Sequence, residues 1–256
     1  MIYITGDIHG EYDIHRLNSK SMKEKNLSLT KDDFLIVTGD FGLPFTPKSI
    51  ELYDRRKGNY YFWIKWLRQK PYTILYVDGN HDNQDWLSSL PTTEMFSSLV
   101  HVNPHASNVI HLMRGQIYTI EGNTFFTMGG ATTVDVIGRK NRISWWPEEI
   151  PSNEELSFAI ENLDKHNMSV DYVISHACGS SYLSDLHVYP EPDTLTSFFN
   201  HLEFDFGLKF KHWYFGHYHR DKTIDNKHTC LFREIIPIGS TIKSKVNSNE
   251  KKGSLK

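Results

Sequence analysis

Cysteine is scarce in this chain of 256 residues, and no long apolar run is present. The two cysteines, Cys178 and Cys230, are too few for a disulfide framework. Apolar stretches such as 34–37 and 74–77 are far shorter than a helix that crosses a membrane. The first residues show no basic segment before an apolar stretch, so we expect no signal peptide, no membrane contact and a cytoplasmic location.

Basic residues are not in excess either: 28 Lys and Arg face 31 Asp and Glu, which gives a net charge of −3. That balance argues against a protein that holds long nucleic acid by charge. No internal repeat or Pro/Gly/Ser-rich linker interrupts the chain. We therefore predict a single domain over residues 1–242, followed by a polar, lysine-rich tail over 243–256. Histidine, by contrast, is abundant, with 14 residues.

Short runs rich in Ile, Val, Tyr and Phe alternate with helical patterns along the chain. They predict strands at 2–5, 34–38, 73–77, 117–120, 124–128, 171–175, 212–215 and 230–235, and helices at 11–25, 48–69, 152–166 and 193–205. Ser152 and Glu155 predict a capping box at the third helix, and Glu121-Gly122-Asn123 predicts a hairpin turn. The alternation predicts an α/β fold with added antiparallel strands.

Five polar segments each follow a predicted strand directly. They are Gly6-Asp7-Ile8-His9-Gly10, Gly39-Asp40-Phe41-Gly42, Gly79-Asn80-His81-Asp82, Ser175-His176-Ala177 and Gly216-His217-Tyr218-His219. Because ligands bind at the carboxyl ends of strands in α/β sheets, all five segments can meet in one cleft. Their carboxylate, imidazole and amide groups suit divalent Mn, Fe, Zn or Ni. Taken singly, such segments are more often turns or solvated loops, but their recurrence after five strands favours a metal site.

In this order the segments resemble the calcineurin-like metallophosphoesterase superfamily, from residue 6 to residue 219. The resemblance implies a four-layer α/β/β/α sandwich of two mixed sheets. It also implies two divalent transition-metal ions at the strand ends, with Mn favoured over Fe, Zn or Ni. The first ion would be held by Asp7, His9, Asp40 and His219, and the second by Asp40, Asn80, His176 and His217. His81 corresponds to the family's catalytic histidine, which is not a ligand.

Such a site can hydrolyse phosphate esters. Two cations that share a bridging hydroxide make a nucleophile available near neutral pH and neutralise the charge that grows on the phosphoryl group. Asp40 is a suitable bridge because its two oxygens can serve two ions, and His81 can protonate or steady the leaving alkoxide. Asp82, the second candidate catalytic residue, fits two roles, a carboxylate that orients a histidine or an ordinary turn residue.

The sequence departs from the serine/threonine phosphoprotein phosphatases, which carry Gly-Asp-x-x-Asp-Arg-Gly at the second segment. Here that segment continues Phe41-Gly42-Leu43-Pro44, without the second aspartate and the phosphate-binding arginine. The runs 110–116, 129–131 and 144–148 instead resemble metallophosphoesterases of a bacterial and phage branch. A protein phosphatase is therefore a disfavoured alternative.

Three arginines are candidates to replace the missing phosphate-binding arginine: Arg114, Arg139 and Arg142. Trp145 and Trp146 are candidates for a wall against a base or sugar, although paired tryptophans before a proline more often pack in a core.

The missing arginine favours a phosphodiesterase over a phosphomonoesterase, because a monoester dianion gains more from an extra cation. The expected substrate is a phosphate ester such as a small nucleotide or a nucleic-acid end. The rival hypothesis is a binding module that kept the fold and lost turnover. Because all seven ligand positions and His81 carry competent residues, the sequence favours the enzyme.

Overall fold

The computed structural model describes residues 1–45, 60–133 and 137–242. The strands are β1 (Ile2–Thr5), β2 (Phe34–Val37), β3 (Thr73–Tyr76), β4 (Thr92–Met95), β5 (Ser98–Val102), β6 (Val109–Leu112), β7 (Ile117–Ile120), β8 (Asn123–Met128), β9 (Tyr172–Ser175), β10 (His212–Phe215), β11 (Lys222–Thr223), β12 (His228–Cys230) and β13 (Ile235–Pro237). The α-helices are α1 (Ser19–Glu24), α2 (Tyr60–Arg68), α3 (Gln84–Ser89), α4 (Asn153–Lys165) and α5 (Thr194–Asn200). Short 3-10 turns occur at Ile14–Leu17, Pro147–Glu149, Ser180–Tyr182 and Ser184–Leu186.

Two mixed sheets form the body of the protein. The first has the strand order β13-β1-β2-β3-β6-β5-β4, with β1, β2, β3 and β6 parallel and antiparallel pairing at both edges. The second has the order β11-β12-β10-β9-β8-β7, with a parallel centre from β12 to β8. Parallel neighbours end at the same edge of a sheet, so the segments that follow them are brought side by side.

Alternating side chains divide the apolar core into three layers. On β2, Ile36 packs between the two sheets, whereas Leu35 and Val37 pack with α2 outside the first sheet. On β10, Tyr214 lies between the sheets, and Trp213 packs with α4 and α5 outside the second sheet. Helices therefore cover the outer face of each sheet. This is the four-layer α/β/β/α arrangement, so the predicted fold class is confirmed.

Two local sequence signals are confirmed. The Ser152 hydroxyl accepts the N–H of Glu155 at 3.2 Å, and the N–H of Ser152 donates to Glu155 Oε2 at 2.8 Å, which completes the capping box of α4. Glu121 and Gly122 form the turn between β7 and β8 with φ of 50° and 75°. Positive φ at both central residues matches the twist of the strands that a two-residue turn joins.

The predicted helices 11–25 and 193–205 are wrong in their continuity. The first is a 3-10 turn followed by α1, because Asn18 has an extended backbone and its side chain accepts the N–H of Ser21 at 2.8 Å to start a new helix. The second is α5 followed by a π-helix, His201–Asp205. Of the predicted helix 48–69, residues 48–59 lie outside the described residues, and the rest contains α2.

The predicted strand 230–235 is wrong because it contains a crossover between the sheets. Cys230 ends β12 in the second sheet, and Ile235 begins β13 in the first. Between them, the backbone amides of Phe232 and Glu234 donate to Oδ1 of Asp221 at 2.8 and 3.0 Å rather than to a neighbouring strand. The residues that bound the single predicted strand therefore belong to two strands in different sheets.

Strands β4, β5, β6 and β11 are not predicted from the sequence, since Thr, Ser, Glu, His and Lys dilute their apolar pattern. The predicted tail 243–256 lies outside the described residues. Within the part of the chain that the structure describes, no helix has the length and apolar character needed to cross a membrane.

Candidate active site

The polar segments after five strands meet at one edge of the sandwich. In the first sheet, Asp7, Asp40 and Asn80 follow the neighbouring strands β1, β2 and β3. In the second sheet, His176 and His217 follow the neighbouring strands β9 and β10. Contacts between these segments join the two sheets, and they involve all seven residues that the sequence predicts as metal ligands.

Asp40 lies at the centre of this cluster and is fully buried. Its Oδ2 is 3.2 Å from Nε2 of His9, and its Oδ1 is 3.3 Å from Nε2 of His176. Oδ1 also accepts the N–H of His81 at 2.7 Å. Burial opposes ionisation, but the charge of His176 and the hydrogen bonds from both histidines hold the pKa of Asp40 well below its ordinary value. The carboxylate is therefore ionised, with one oxygen toward each histidine.

Asp7 is equally buried, and one of its two carboxylate oxygens lacks a hydrogen-bond donor among the described residues. Its Oδ1 accepts the N–H of His217 at 3.1 Å. Its Oδ2 lies 3.3 Å from Nε2 of His219 but accepts no hydrogen bond from any described group. A buried carboxylate oxygen left in this way is costly unless a cation binds it. The orphaned oxygen fits a metal ion beside Asp7.

His176 and Asn80 present further donor atoms to the same space. Nδ1 of His176 lies 2.8 Å from the carbonyl oxygen of Thr38. Its other ring nitrogen, Nε2, faces Oδ1 of Asn80 at 3.2 Å and Oδ1 of Asp40 at 3.3 Å. Burial opposes protonation, but Asp40 and Asp7 raise the pKa of His176 to about 10. This pocket therefore requires a positive charge, which a proton or a metal ion can supply.

The remaining histidines complete the donor set. Donor atoms of Asp7, His9 and His219 all lie within 4.8 Å of one another. Burial, together with the charge of His176, lowers the pKa of His217 to about 4, so this imidazole is neutral and can act as a ligand. Neutral imidazole, carboxylate and amide oxygen form a donor set that suits divalent transition metals.

Two glycines allow the carboxylates to approach the strand ends. A Cβ atom on Gly79 would lie 2.2 Å from Oδ1 of Asp40, and one on Gly216 would lie 2.1 Å from Oδ1 of Asp7. Any other residue at either position would displace a carboxylate from the cluster.

Four of the predicted ligands have a left-handed backbone. The φ values are 49° for His9, 48° for Asp40, 65° for His217 and 51° for His219. Residues other than glycine adopt this conformation at a cost of about 1–2 kcal/mol each. Such strain is concentrated at functional sites, where it aims side chains that a regular strand would point elsewhere.

His81 and Arg139 lie together beside this cluster. Nε2 of His81 is 3.2 Å from Nη2 of Arg139, and Nη1 of Arg139 donates to the carbonyl of Ser144 at 3.2 Å. Burial lowers the pKa of His81, with Asp40 acting against this effect and Arg139 adding to it. Donor atoms of His81, His9 and Asp40 also lie within 4.8 Å of one another. His81 is thus close enough to ligate, but its Nε2 faces a guanidinium.

The other two candidate arginines are held in ion pairs. Nη2 of Arg114 lies 2.6 Å from Oδ2 of Asp78, and Nη1 lies 3.3 Å from Oε2 of Glu155. Only 7% of the Arg114 side chain is exposed. Arg142, at the surface, pairs with Asp85 and Glu148, each at 2.5 Å. Of the three arginines, the structure brings Arg139 into contact with a predicted catalytic residue.

Asp82 connects two of the loops rather than a histidine. Its Oδ1 accepts the N–H of Gly42 at 2.7 Å, and its Oδ2 accepts the N–H groups of Gly79 and Phe41 at 2.8 and 3.2 Å. Burial and the charge of Asp40 raise the pKa of Asp82 to about 7. Of the two roles considered for Asp82 from the sequence, these contacts match the ordinary turn carboxylate rather than a carboxylate that orients a histidine.

The paired tryptophans have different environments. Trp146 is fully buried, and its indole N–H donates to Oδ2 of Asp85 at 2.9 Å. Trp145 is half-buried. Trp146 therefore packs inside the protein, as paired tryptophans commonly do.

Sequence reasoning missed Asp78, Thr133 and Glu149, which support the cluster from behind. Asp78 pairs with Arg114, and Thr133 Oγ1 accepts a hydrogen bond from Nδ2 of Asn80 at 3.1 Å and donates to Glu149. Asp78 could have been suspected, because it directly follows the apolar run 74–77, as the polar segments follow their predicted strands. No motif or spacing in the sequence points to Thr133 or Glu149.

Comparison with known proteins agrees with the geometry. The sequence model of the calcineurin-like phosphoesterase family matches residues 1–221, which include every strand that contributes to the cluster. No curated protein matches the chain. The chain therefore belongs to the calcineurin-like phosphoesterase family and is a metal-dependent phosphoric ester hydrolase.

Proposed function

We propose that the protein hydrolyses phosphate esters at a site for two divalent transition-metal ions. The observation that carries the proposal is the position of Asp40, whose Oδ2 faces His9 at 3.2 Å while Oδ1 faces His176 at 3.3 Å. A buried carboxylate with one oxygen toward each of two histidines is suited to bridge two ions.

The remaining ligands divide into two sets around Asp40. The first ion is assigned to Asp7, His9, Asp40 and His219. The second is assigned to Asp40, Asn80, His176 and His217. The buried, orphaned Oδ2 of Asp7 supports the first set, and the facing donor atoms of His176 and Asn80 support the second. Manganese is the preferred ion, because carboxylate oxygens accompany the imidazoles in both sets and an amide oxygen joins them in the second.

Two divalent ions, when bound, supply Lewis-acid chemistry that acidifies water and neutralises charge on the phosphoryl group. The side chains beside them bind the substrate and move the proton. The guanidinium of Arg139 lies 3.2 Å from Nε2 of His81 and can hold a phosphoryl oxygen. A guanidinium only donates, so Nε2 of His81 can give a proton to the leaving oxygen, or steady it by a hydrogen bond, once Arg139 has turned from it to the phosphoryl group.

A phosphodiester is the preferred substrate class, with small nucleotides and nucleic-acid ends as the leading examples. The second segment supplies no arginine, and its Gly42 and Phe41 amides are already used by Asp82. A diester carries one negative charge at the reacting phosphate, so one arginine is sufficient to complement the ions. A monoester dianion would gain from a second cation.

The metal-loaded protein tests this function directly. With Mn we expect two ions per chain by elemental analysis and faster hydrolysis of bis-p-nitrophenyl phosphate than of p-nitrophenyl phosphate. Asp40→Asn should lower the metal content and both activities, since an amide has one good ligand oxygen and no charge. Asp205→Asn, at an exposed acid on the π-helix, is the control and should match the wild type.

The outcomes separate the parts of the proposal. Less than one ion per chain after loading would contradict the two-ion site. Faster hydrolysis of the monoester would contradict only the substrate preference. Full metal loading without turnover of either ester would favour the binding module over the enzyme.

We also propose that residues 1–242 act as one catalytic unit of the bacterial and phage branch. Three runs carry that resemblance, and they lie close together. Nη2 of Arg114 in the first run donates to the carbonyl of Glu148 in the third at 2.8 Å, and the N–H of Ala131 in the second donates to the carbonyl of Glu149, the residue after the third, at 3.1 Å. The runs thus form one structural cluster next to the site, which supports treating them as a single feature of this branch.

A further inference from the structure

A chain of hydrogen bonds runs behind Asn80, on the side away from His176. Nδ2 of Asn80 donates to Oγ1 of Thr133 at 3.1 Å, and the Thr133 hydroxyl donates to Oε2 of Glu149. Oε1 of Glu149 accepts the N–H of Trp146 at 3.2 Å. The side chains of Asn80, Thr133 and Glu149 are all buried, so water does not replace these contacts freely.

The direction of each bond in this chain follows from the number of hydrogens available. Burial raises the pKa of Glu149 to about 7, so above that pH its carboxylate is ionised. An ionised carboxylate only accepts, so the single hydroxyl hydrogen of Thr133 is used toward Glu149. The Thr133 oxygen then offers only lone pairs to Asn80, which must face it with the NH₂ group. Oδ1 of Asn80 is left on the opposite side, 3.2 Å from Nε2 of His176.

A flipped Asn80 amide would be incompatible with a metal ion. Its NH₂ group would face His176 and Asp40, where a cation is expected, and its oxygen would face the lone pairs of Thr133. An amide in a buried site is held in one orientation only when both of its ends have matching partners. Here the matching partner on the outer side is supplied by Thr133.

We propose that Glu149 and Thr133 are positioning residues that fix the Asn80 amide with its oxygen toward the second metal ion. This inference rests on the proposed function, in which Asn80 is a ligand. Neither residue touches the ion or the substrate; Glu149 acts through Thr133, and Thr133 acts through Asn80. Loss of partners that orient a ligand typically costs about 10–100-fold in metal affinity.

Glu149 is itself held so that its carboxylate stays in place. Its backbone carbonyl accepts the N–H of Ala131 at 3.1 Å, and both of its side-chain oxygens are used, one by Thr133 and one by Trp146. Trp146 is anchored in turn by Asp85. The carboxylate cannot turn away from Thr133 without giving up the Trp146 amide.

Thr133→Val tests the inference, because valine keeps the shape and removes the hydroxyl. At pH 8, where Glu149 is ionised, we expect one of the two Mn dissociation constants, measured by chelator competition, to rise about 10–100-fold while the other is unchanged. Thr133→Ser should restore wild-type affinity. Thr132→Val is the matched control: it removes a hydroxyl-to-carboxylate hydrogen bond, to Asp193, from the neighbouring residue and should bind Mn like the wild type.

Glu149→Gln provides a second, independent measurement. A glutamine has one acceptor and one donor end, so it can satisfy either the Thr133 hydroxyl or the Trp146 amide but not both. We expect the same site to weaken, by less than in Thr133→Val. If Thr133→Val does not fold, as judged by circular dichroism, this variant makes the same comparison.

Asn80→Ala distinguishes the inference from the function on which it rests. If Asn80→Ala loses an ion while Thr133→Val and Glu149→Gln bind Mn like the wild type, the positioning role is overturned and the ligand assignment stands. If Asn80→Ala binds both ions with unchanged affinity, the assignment of Asn80 fails and the positioning role fails with it.

Discussion

Arg114 is the residue at which the structure most sharply changes the expectation from sequence. Its guanidinium lies 2.6 Å from Oδ2 of Asp78 and 3.3 Å from Oε2 of Glu155, and it donates to the carbonyl of Glu148 at 2.8 Å. Asp78 is 1% exposed, and Arg114 holds its pKa well below the ordinary value against the effect of burial. Replacing Arg114 with methionine should therefore destabilise the folded protein rather than weaken substrate binding alone.

The size of the effect follows from the charge left behind. Removing one partner of a buried ion pair typically costs about 3–5 kcal/mol, since the other charge stays buried. Asp78 would keep two weaker contacts, with Nε2 of His111 at 3.3 Å and Nε2 of Gln84 at 3.1 Å. We therefore expect the lower end, about 3 kcal/mol of unfolding free energy, which corresponds to a fall in Tm of roughly 6–12 °C.

Arg142→Met is the control. Arg142 also makes two ion pairs, at 2.5 Å, but its side chain is 51% exposed. Solvent screens such pairs, so this variant should lose much less stability than Arg114→Met. Urea unfolding followed by circular dichroism compares both variants with the wild type.

The result that would refute the reasoning is a loss below about 1 kcal/mol for Arg114→Met, or equal losses in the two variants. A second check uses the buried charge itself: adding Asp78→Asn to Arg114→Met should recover part of the lost stability. The loss of unfolding free energy caused by Arg114→Met should also become smaller as the pH is lowered from 7 toward the ordinary pKa of aspartate, about 4. Without Arg114, Asp78 takes up a proton over this range and no longer leaves a buried charge. In the wild type, the stability due to Asp78 is present above that pKa and is lost only as the pH falls below it.

Three further outcomes concern the chemistry. His81→Ala should leave the Mn content near wild type and lower kcat by about 10²–10⁴-fold, less for nitrophenyl esters; loss of an ion instead would make His81 a ligand. Arg139→Ala should raise KM about tenfold with little change in kcat, and wild-type KM would remove Arg139 from the substrate site. A chelator should abolish activity and lower Tm, because ions that bind only the folded state stabilise it. At a free ion concentration of one hundred times Kd, this stabilisation is about 2.7 kcal/mol. An unchanged Tm would contradict metal binding.

The cluster of site residues could be predicted from sequence because each segment that carries them follows a strand. Asp7, Asp40 and His176 need only the strand before them to be recognised for their convergence to follow. Short runs of Ile, Val and Tyr make those strands recognisable. Their roles as metal ligands stay a prediction.

The supporting residues could not be predicted, because their partners are distant in the chain and carry no pattern. Thr133 lies 53 positions from Asn80 and 16 from Glu149, and only the folded structure brings them together. The role of Arg114 depends in the same way on Asp78, 36 positions away. An arginine in a sequence looks the same whether its charge faces a substrate or a buried aspartate.

The left-handed backbone at His219 has a consequence for how this protein can be engineered or can evolve. Its side chain is 48% exposed and its φ is 51°, a conformation that glycine or asparagine adopts with less strain. A selection for heat resistance alone, with no demand for hydrolysis, should accept those residues at this position. Selection for catalysis keeps the histidine, so variants ranked by melting temperature should include inactive ones that have traded a proposed metal ligand for a relaxed loop.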